Sequence, residues 1–299
     1  MNPIWKGIFV ILQTPFDKEG QLDEESFRRE IEFSIRAGAH GLVAPAVASE
    51  FYVLSDYERE RIASILVQET KGRVPVIIGT TAASKEQAVI FARHAEEVGA
   101  NGLMAMPPHV MKANRERIYE YYQALSRATT LPIMIQNAPP PLGSSLAPTF
   151  MTQMCGEIER VCYIKEETLP TGHYITAILK ASQGAVAGVF GGASARWMLS
   201  ELERGACGFM PACHFTDVYV QIWEMWQSGH SEKARNLFNK LLPLINLEAV
   251  LSVSLCKQIL MRRGVFASAN VRRPDGAVLD AYDLKEMEEC MKEIEPYLL

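Results

Sequence analysis

A lysine closes the apolar run Val161-Cys162-Tyr163-Ile164, and two glutamates, Glu166 and Glu167, follow it directly. An amine at the end of such a run is partly withdrawn from water, which favours its neutral, nucleophilic form and suits it to attack a ketone and form a Schiff base. A strand-end lysine that reaches into solvent or pairs with a carboxylate fits the same position. In extended chain, residues two apart share a face, so Glu167 points the way Lys165 does and Glu166 points away. Glu167 is therefore a candidate acid/base, or the partner of a structural ion pair with Lys165. A neighbouring pair, Cys213 and His214, offers a thiol and an imidazole, but adjacent side chains seldom converge and the pair reads as core.

Lys165 sits on one of eight short apolar runs, each announced by Gly or Pro and followed by a helical pattern. The runs cover 7–16, 41–48, 74–81, 102–108, 132–139, 161–167, 185–192 and 205–212. Most are apolar throughout, as strands covered on both faces must be. Between them lie amphipathic segments such as 23–37, opened by Asp23, and 84–98, where Ser84 with Gln87 suits a capping box. Eight βα units predict an α/β fold, a closed (β/α)8 TIM barrel, over residues 1–228. Helical patterns continue at 214–228, 231–262 and 281–298, more than one barrel unit requires, and the last two predict a helical C-terminal extension over 229–299, packed on the barrel. Reactive groups of such barrels stand at the C-terminal ends of strands, and Lys165 is the lysine found there.

The 299 residues carry 30 basic and 35 acidic side chains, a net charge of −5, with no basic stripe to meet phosphates, so nucleic acid is not an expected partner. Charged residues interrupt each apolar run before about 20 residues accumulate, and the N-terminus lacks a cleavage signature, so neither a membrane nor an export role is expected. Six cysteines at irregular spacing read as free thiols of a cytoplasmic protein. No G-x-G-x-x-G opens a helix after a strand, which argues against a dinucleotide. Gly191-Gly192 with Arg196 leaves a phosphate site conceivable after the seventh strand.

An ordered set of markers runs through the chain. They are Thr14-Pro15-Phe16 with Gly20 and Asp23, Gly38 with Gly41-Leu42-Val43, Ser49-Glu50, and Leu54-Ser55 with Glu58-Arg59. Val74-Pro75-Val76-Ile77, Gly99-Ala100, Asn137 with Pro139, and Ile164-Lys165-Glu166 complete it. The layout resembles the dihydrodipicolinate synthase and N-acetylneuraminate lyase superfamily across roughly residues 4 to 295. The resemblance implies that Lys165 forms the Schiff base, that no metal or organic cofactor is needed, and that the protein is a homo-oligomer, a dimer or tetramer.

Departures from the family pattern carry as much information. Where the family has Gly-Thr-Thr-Gly-Glu after the second strand, this chain has Ala46, Val47, Ala48, Ser49 and Glu50, which leaves Ser49 and backbone amides to hold a substrate carboxylate. The family's catalytic tyrosine aligns with Gln136, its tyrosine pair with His109 and Val110, and the arginine of the synthases with Pro141. A glutamine cannot shuttle protons at neutral pH; it can orient a hydroxyl, a carboxylate or a water. Together with Met104-Ala105-Met106-Pro107-Pro108 and Leu242-Pro243-Leu244-Ile245-Asn246, these features resemble the branch that includes 2-keto-3-deoxy-L-arabonate dehydratases. That branch implies a lyase in which Lys165 condenses with a small 2-oxo acid, Glu167 moves protons and Gln136 orients. Val47, Ala48, Ser49, His109, Gly191 and Met210 are then the expected substrate contacts. Against a polyhydroxylated substrate, the loop after the seventh strand reads Gly191-Gly192-Ala193-Ser194, without the acid that polyol-handling relatives often place there. Aldol cleavage releasing pyruvate uses the same imine, synthase-like activity remains an alternative, and a non-catalytic ligand-binding barrel is the reading of another class.

Overall fold

A computed structural model describes residues 4–274 and 276–299. Eight strands follow one another in chain order around a closed barrel. They are β1 (Gly7–Ile11), β2 (Gly41–Ala44), β3 (Val76–Gly79), β4 (Gly102–Ala105), β5 (Ile133–Asn137), β6 (Val161–Glu166), β7 (Gly188–Gly191) and β8 (Gly208–Phe209). Every residue in them is buried, which explains the apolar runs. The strands are shorter than those runs, and after β2, β7 and β8 the chain passes into 3-10 turns at Val47–Ser49, Ala193–Ala195 and Cys213–Phe215.

Seven helices connect or follow the first seven strands: α1 (Glu24–Arg36), α2 (Asp56–Thr70), α3 (Lys85–Glu97), α4 (Arg115–Ala128), α5 (Pro148–Glu157), α6 (Thr171–Ala181) and α7 (Met198–Glu203). Then come α8 (Thr216–Gln227), α9 (Ser231–Arg262) and α10 (Ala281–Ile294), the expected C-terminal helices. Asp23 caps α1 by accepting from Ser26 N at 3.0 Å, and Ser84 caps α3 by accepting from Gln87 N at 3.2 Å. By length and composition α9 could cross a membrane, but 61% of its most apolar window is buried inside the protein, as in a core helix. All six cysteines are free.

Contacts group the chain into two compact units. One comprises residues 4–6 with Pro75–Met210, and so holds β3 to β8. In it Trp5 stacks on Tyr163 with ring centroids 4.6 Å apart, and Gly102 is glycine because a Cβ there would lie 2.2 Å from the Trp5 ring. The other comprises Gly7–Val74 with Pro211–Leu299. There Lys257 and Glu50, both fully buried, pair at 2.5 Å, and the ammonium lies 4.3 Å from the centre of the Phe16 ring.

Candidate active site

Strand register decides which side chains meet on the first unit. The β5–β6 ladder begins with Ile133 opposite Val161, shifts by one residue, and continues with Gln136 opposite Lys165 and Asn137 opposite Glu166. Without that irregularity Gln136 would stand opposite Ile164, so the bulge re-aims it at the lysine. Residues opposite each other share a face, so Gln136 and Lys165 form one set, and Asn137 and Glu166 another.

The first set closes around Glu167. Lys165 Nζ lies 3.2 Å from Glu167 Oε1, with the two side chains 5% and 16% exposed. Gln136 Nε2 donates to Glu167 Oε2 at 2.8 Å, and Ala193 N donates to Oε1 at 3.2 Å. Burial works to raise the pKa of this carboxyl and is the largest single influence. The charge of Lys165 and the hydrogen bonds from Gln136 and Ala193 outweigh it, and hold Glu167 below the usual range. The result is an ionised, triply addressed carboxylate in contact with the amine.

Gly192 explains the missing acid of the seventh-strand loop. A Cβ at this position would sit 2.3 Å from Glu167 Cγ and 2.6 Å from its Oε1. The glycine leaves room for a carboxylate that arrives from β6, and the Ala193 amide that could greet a phosphate is already taken by it. The loop is shaped for this: Ala193, Ser194 and Ala195 all have left-handed φ, at 47°, 57° and 53°.

The second set is structural in character. Glu166 is fully buried and accepts from Asn137 Nδ2 at 2.8 Å and Thr168 N at 2.6 Å. Burial above all, despite those bonds and with help from the Glu167 charge, pushes its pKa up to about 7. Asn137 in turn fixes the following loop through Leu146 N at 2.7 Å.

The other expected contacts differ in what they offer. Gly191 ends β7 under steric demand, since a Cβ there would meet Glu201 Oε2 at 2.0 Å and the Phe209 ring at 2.7 Å. Met210 is 2% exposed and donates its amide to Gly191 O at 2.9 Å, and His109 lies half-buried in the turn after β4. On the second unit, the Ser49 hydroxyl donates to Leu12 O at 2.5 Å and accepts from Ala46 N at 3.0 Å. Val47 and Ala48, half-exposed, open a 3-10 turn, where backbone amides lack acceptors within the turn. Glu50, next to Ser49, turns into the buried pair with Lys257. Sequence reasoning missed Ala193 and Gly192 as partners of Glu167; the Gly-Gly pair was visible, but its neighbour was not.

The profile of the dihydrodipicolinate synthetase family matches residues 4–294. The chain belongs to this family. Family membership also shows in curated relatives. An L-2-keto-3-deoxyarabonate dehydratase from Azospirillum brasilense is 35% identical over 277 residues, 91% of this chain and 89% of the relative. A protein of Escherichia coli named "Probable 2-dehydro-3-deoxy-D-pentonate aldolase" is 30% identical over 80% of each chain. Among solved structures, the dihydrodipicolinate synthase of Rhodopseudomonas palustris superposes with a TM-score of 0.90 at 27% identity, covering 98% of this chain and 99% of its own. This dihydrodipicolinate synthetase family member is thus a lyase-family barrel that carries a glutamine and a glutamate beside its strand-end lysine.

Proposed function

We propose that the protein is a Schiff-base-forming dehydratase of a 2-keto-3-deoxy sugar acid, with Lys165 as nucleophile and Glu167 as proton carrier. The observation that carries this reading is the Glu167 carboxylate, 3.2 Å from Lys165 Nζ and locked by Gln136 and the Ala193 amide. The 35% identity with the arabonate dehydratase supports the substrate class.

Glu167 takes a proton from the Lys165 ammonium, and the free amine attacks the C2 ketone to give a carbinolamine. Glu167 returns that proton to the C2 hydroxyl, which leaves as water and generates the cationic imine. The imine acidifies C3, Glu167 removes a C3 proton, and the resulting enamine expels the C4 hydroxyl, which departs as water with the proton from Glu167. Water then adds to the conjugated imine and frees the oxo acid and Lys165. One water is lost from the substrate overall, and no metal, redox or organic cofactor is required for any step. Gln136 acts by fixing the carboxylate rather than by moving protons.

Aldol cleavage between C3 and C4 is the second reading, favoured by the name of the E. coli relative. Both readings suit a cytoplasmic enzyme, since six free thiols fit a reducing compartment, and both are compatible with a dimer or tetramer. The test is borohydride trapping with pyruvate and with 2-keto-3-deoxy pentonates and hexonates, followed by peptide mapping and product analysis. An adduct on Lys165 with the carbon chain intact supports dehydration, and release of pyruvate supports cleavage. Absence of an adduct with every acid rejects the imine chemistry and leaves a ligand-binding barrel.

A further inference from the structure

His214, Glu248 and Cys256 lie far apart in sequence, yet their ligand atoms all fall within 4.8 Å of one another, in the interior of the second unit. His214 belongs to the 3-10 turn after β8, and the other two to α9. Their exposures are 1%, 8% and 1%. We propose that these three side chains form a structural binding site for a divalent cation of the zinc class, which ties the turn after β8 to α9 on both sides of its kink.

The first support is an orphaned imidazole. Neither His214 Nδ1 nor Nε2 has a hydrogen-bond partner among the described residues, although the ring is almost completely buried. Nε2 faces Glu248 Oε2 at 3.6 Å, too long for a hydrogen bond. That separation is what two ligands of one tetrahedral ion need: bonds of about 2.0–2.1 Å put neighbouring donor atoms about 3.3–3.5 Å apart. An unpaired buried ring nitrogen costs about 1–3 kcal/mol, which a metal bond would offset.

Chemistry of the donor set is the second support. Imidazole, carboxylate and thiolate are the ligand types that zinc accepts together, the two anionic ligands balance a dication, and a water would complete the tetrahedron. Binding breaks the S–H bond, forms the metal–sulfur bond and releases one proton to solvent for each ion. Arg263 does not compete for Glu248, because its guanidinium is engaged by Asp217 at 2.5 Å.

Backbone strain is the third. Within α9, Ser252 has φ 53° and ψ −139°, a conformation costly for any residue with a Cβ. Glu248 precedes this kink and Cys256 follows it, and the Cys256 thiol contacts Ser252 O at 3.4 Å. A metal bridging 248 and 256 would hold the kinked geometry.

The full chain is to be produced in medium supplemented with zinc or with cobalt, desalted over a chelating resin, and assayed for metal by plasma mass spectrometry. The expected content is about one ion per chain, reduced about tenfold or more in both Cys256→Ser and Glu248→Gln. The cobalt-loaded wild type should also show a thiolate-to-cobalt band in the near ultraviolet that Cys256→Ser lacks. A wild-type protein that holds neither metal overturns the proposal, as does metal content undiminished in either variant. These readouts do not depend on turnover, so they are independent of the imine chemistry.

Discussion

Glu167 is the one carboxylate in contact with Lys165 among the described residues, and the proposed mechanism turns on it. Replacing it by glutamine keeps its shape and removes its ability to carry a proton. Glu167→Gln should lower kcat about 10²- to 10⁴-fold and slow the formation of the pyruvate adduct on Lys165 under borohydride, since Glu167 serves both the imine-forming and the C3 proton transfers. Lys165→Ala should abolish both turnover and adduct. Unchanged turnover in Glu167→Gln, measured by product formation at saturating substrate, would remove it from the mechanism. Lys165 and Glu167 were legible as a pair because strand periodicity alone puts residues two apart on one face. The Ser49 hydroxyl, expected as a substrate donor, points to Leu12 O in the structure; nothing in the sequence distinguishes a hydroxyl facing a ligand from one facing a carbonyl.

Elements position these groups through two features of limited extent. The shift in the β5–β6 ladder sets Gln136 opposite Lys165, and Gly192 clears the space that Glu167 occupies. Gly192→Ala should displace the Glu167 side chain and lower kcat by about 10- to 100-fold, since a misplacement on the 1 Å scale is sufficient for that. Its far-ultraviolet dichroism should be retained while adduct formation on Lys165 slows; full activity would mean that the loop, rather than the glutamate, yields. Elsewhere, Glu50 Oε2 receives Lys257 at 2.5 Å while Oε1 accepts from the amides of Arg272 and Arg273 at 2.9 and 2.7 Å. Lys257→Met strands that buried carboxylate and should destabilise the fold by about 3–5 kcal/mol in urea titrations. A loss below about 1 kcal/mol would show that the pair is dispensable.

At the scale of the molecule, three buried carboxyls set an unusual pH dependence. Burial above all raises Glu30 to about 8, Glu166 to about 7 and Glu201 to about 7, each from an ordinary value of 4.5. Between about 4.5 and 8 the folded chain keeps these protons that the unfolded chain has released, so stability falls as pH rises through that window. Glu24 and Glu58 are shifted the other way, first by hydrogen bonds from Arg61 and Arg272 respectively, and their contribution is lost as pH falls below the ordinary carboxylate range. Stability should therefore peak near the lower edge of the window. Glu30→Gln should flatten the decline from pH 6 to 8, an effect bounded by about 2.7 kcal/mol for one proton over two pH units. Denaturant titrations of both proteins across that range check this, and parallel slopes would exclude Glu30 as the source.

What the sequence by itself determined was periodic and local. Eight apolar runs alternating with amphipathic helices required a barrel, helix caps at Asp23 and Ser84 followed from residue type, and Lys165 with Glu167 followed from a two-residue period. The tertiary structure alone decided what depends on register and on distant neighbours. One extra residue in the β6 strand chooses whether Gln136 meets Ile164 or Lys165, and a pattern of apolar residues carries no signal for that choice. Gly192 is unremarkable until the Glu167 side chain fills the volume its missing Cβ leaves. Cys213 and His214, adjacent in the chain, part company, the thiol going to Glu30 at 2.8 Å and the imidazole to Glu248 and Cys256. Backbone geometry turns neighbouring side chains apart, and only the packing of α9 brings remote ones together.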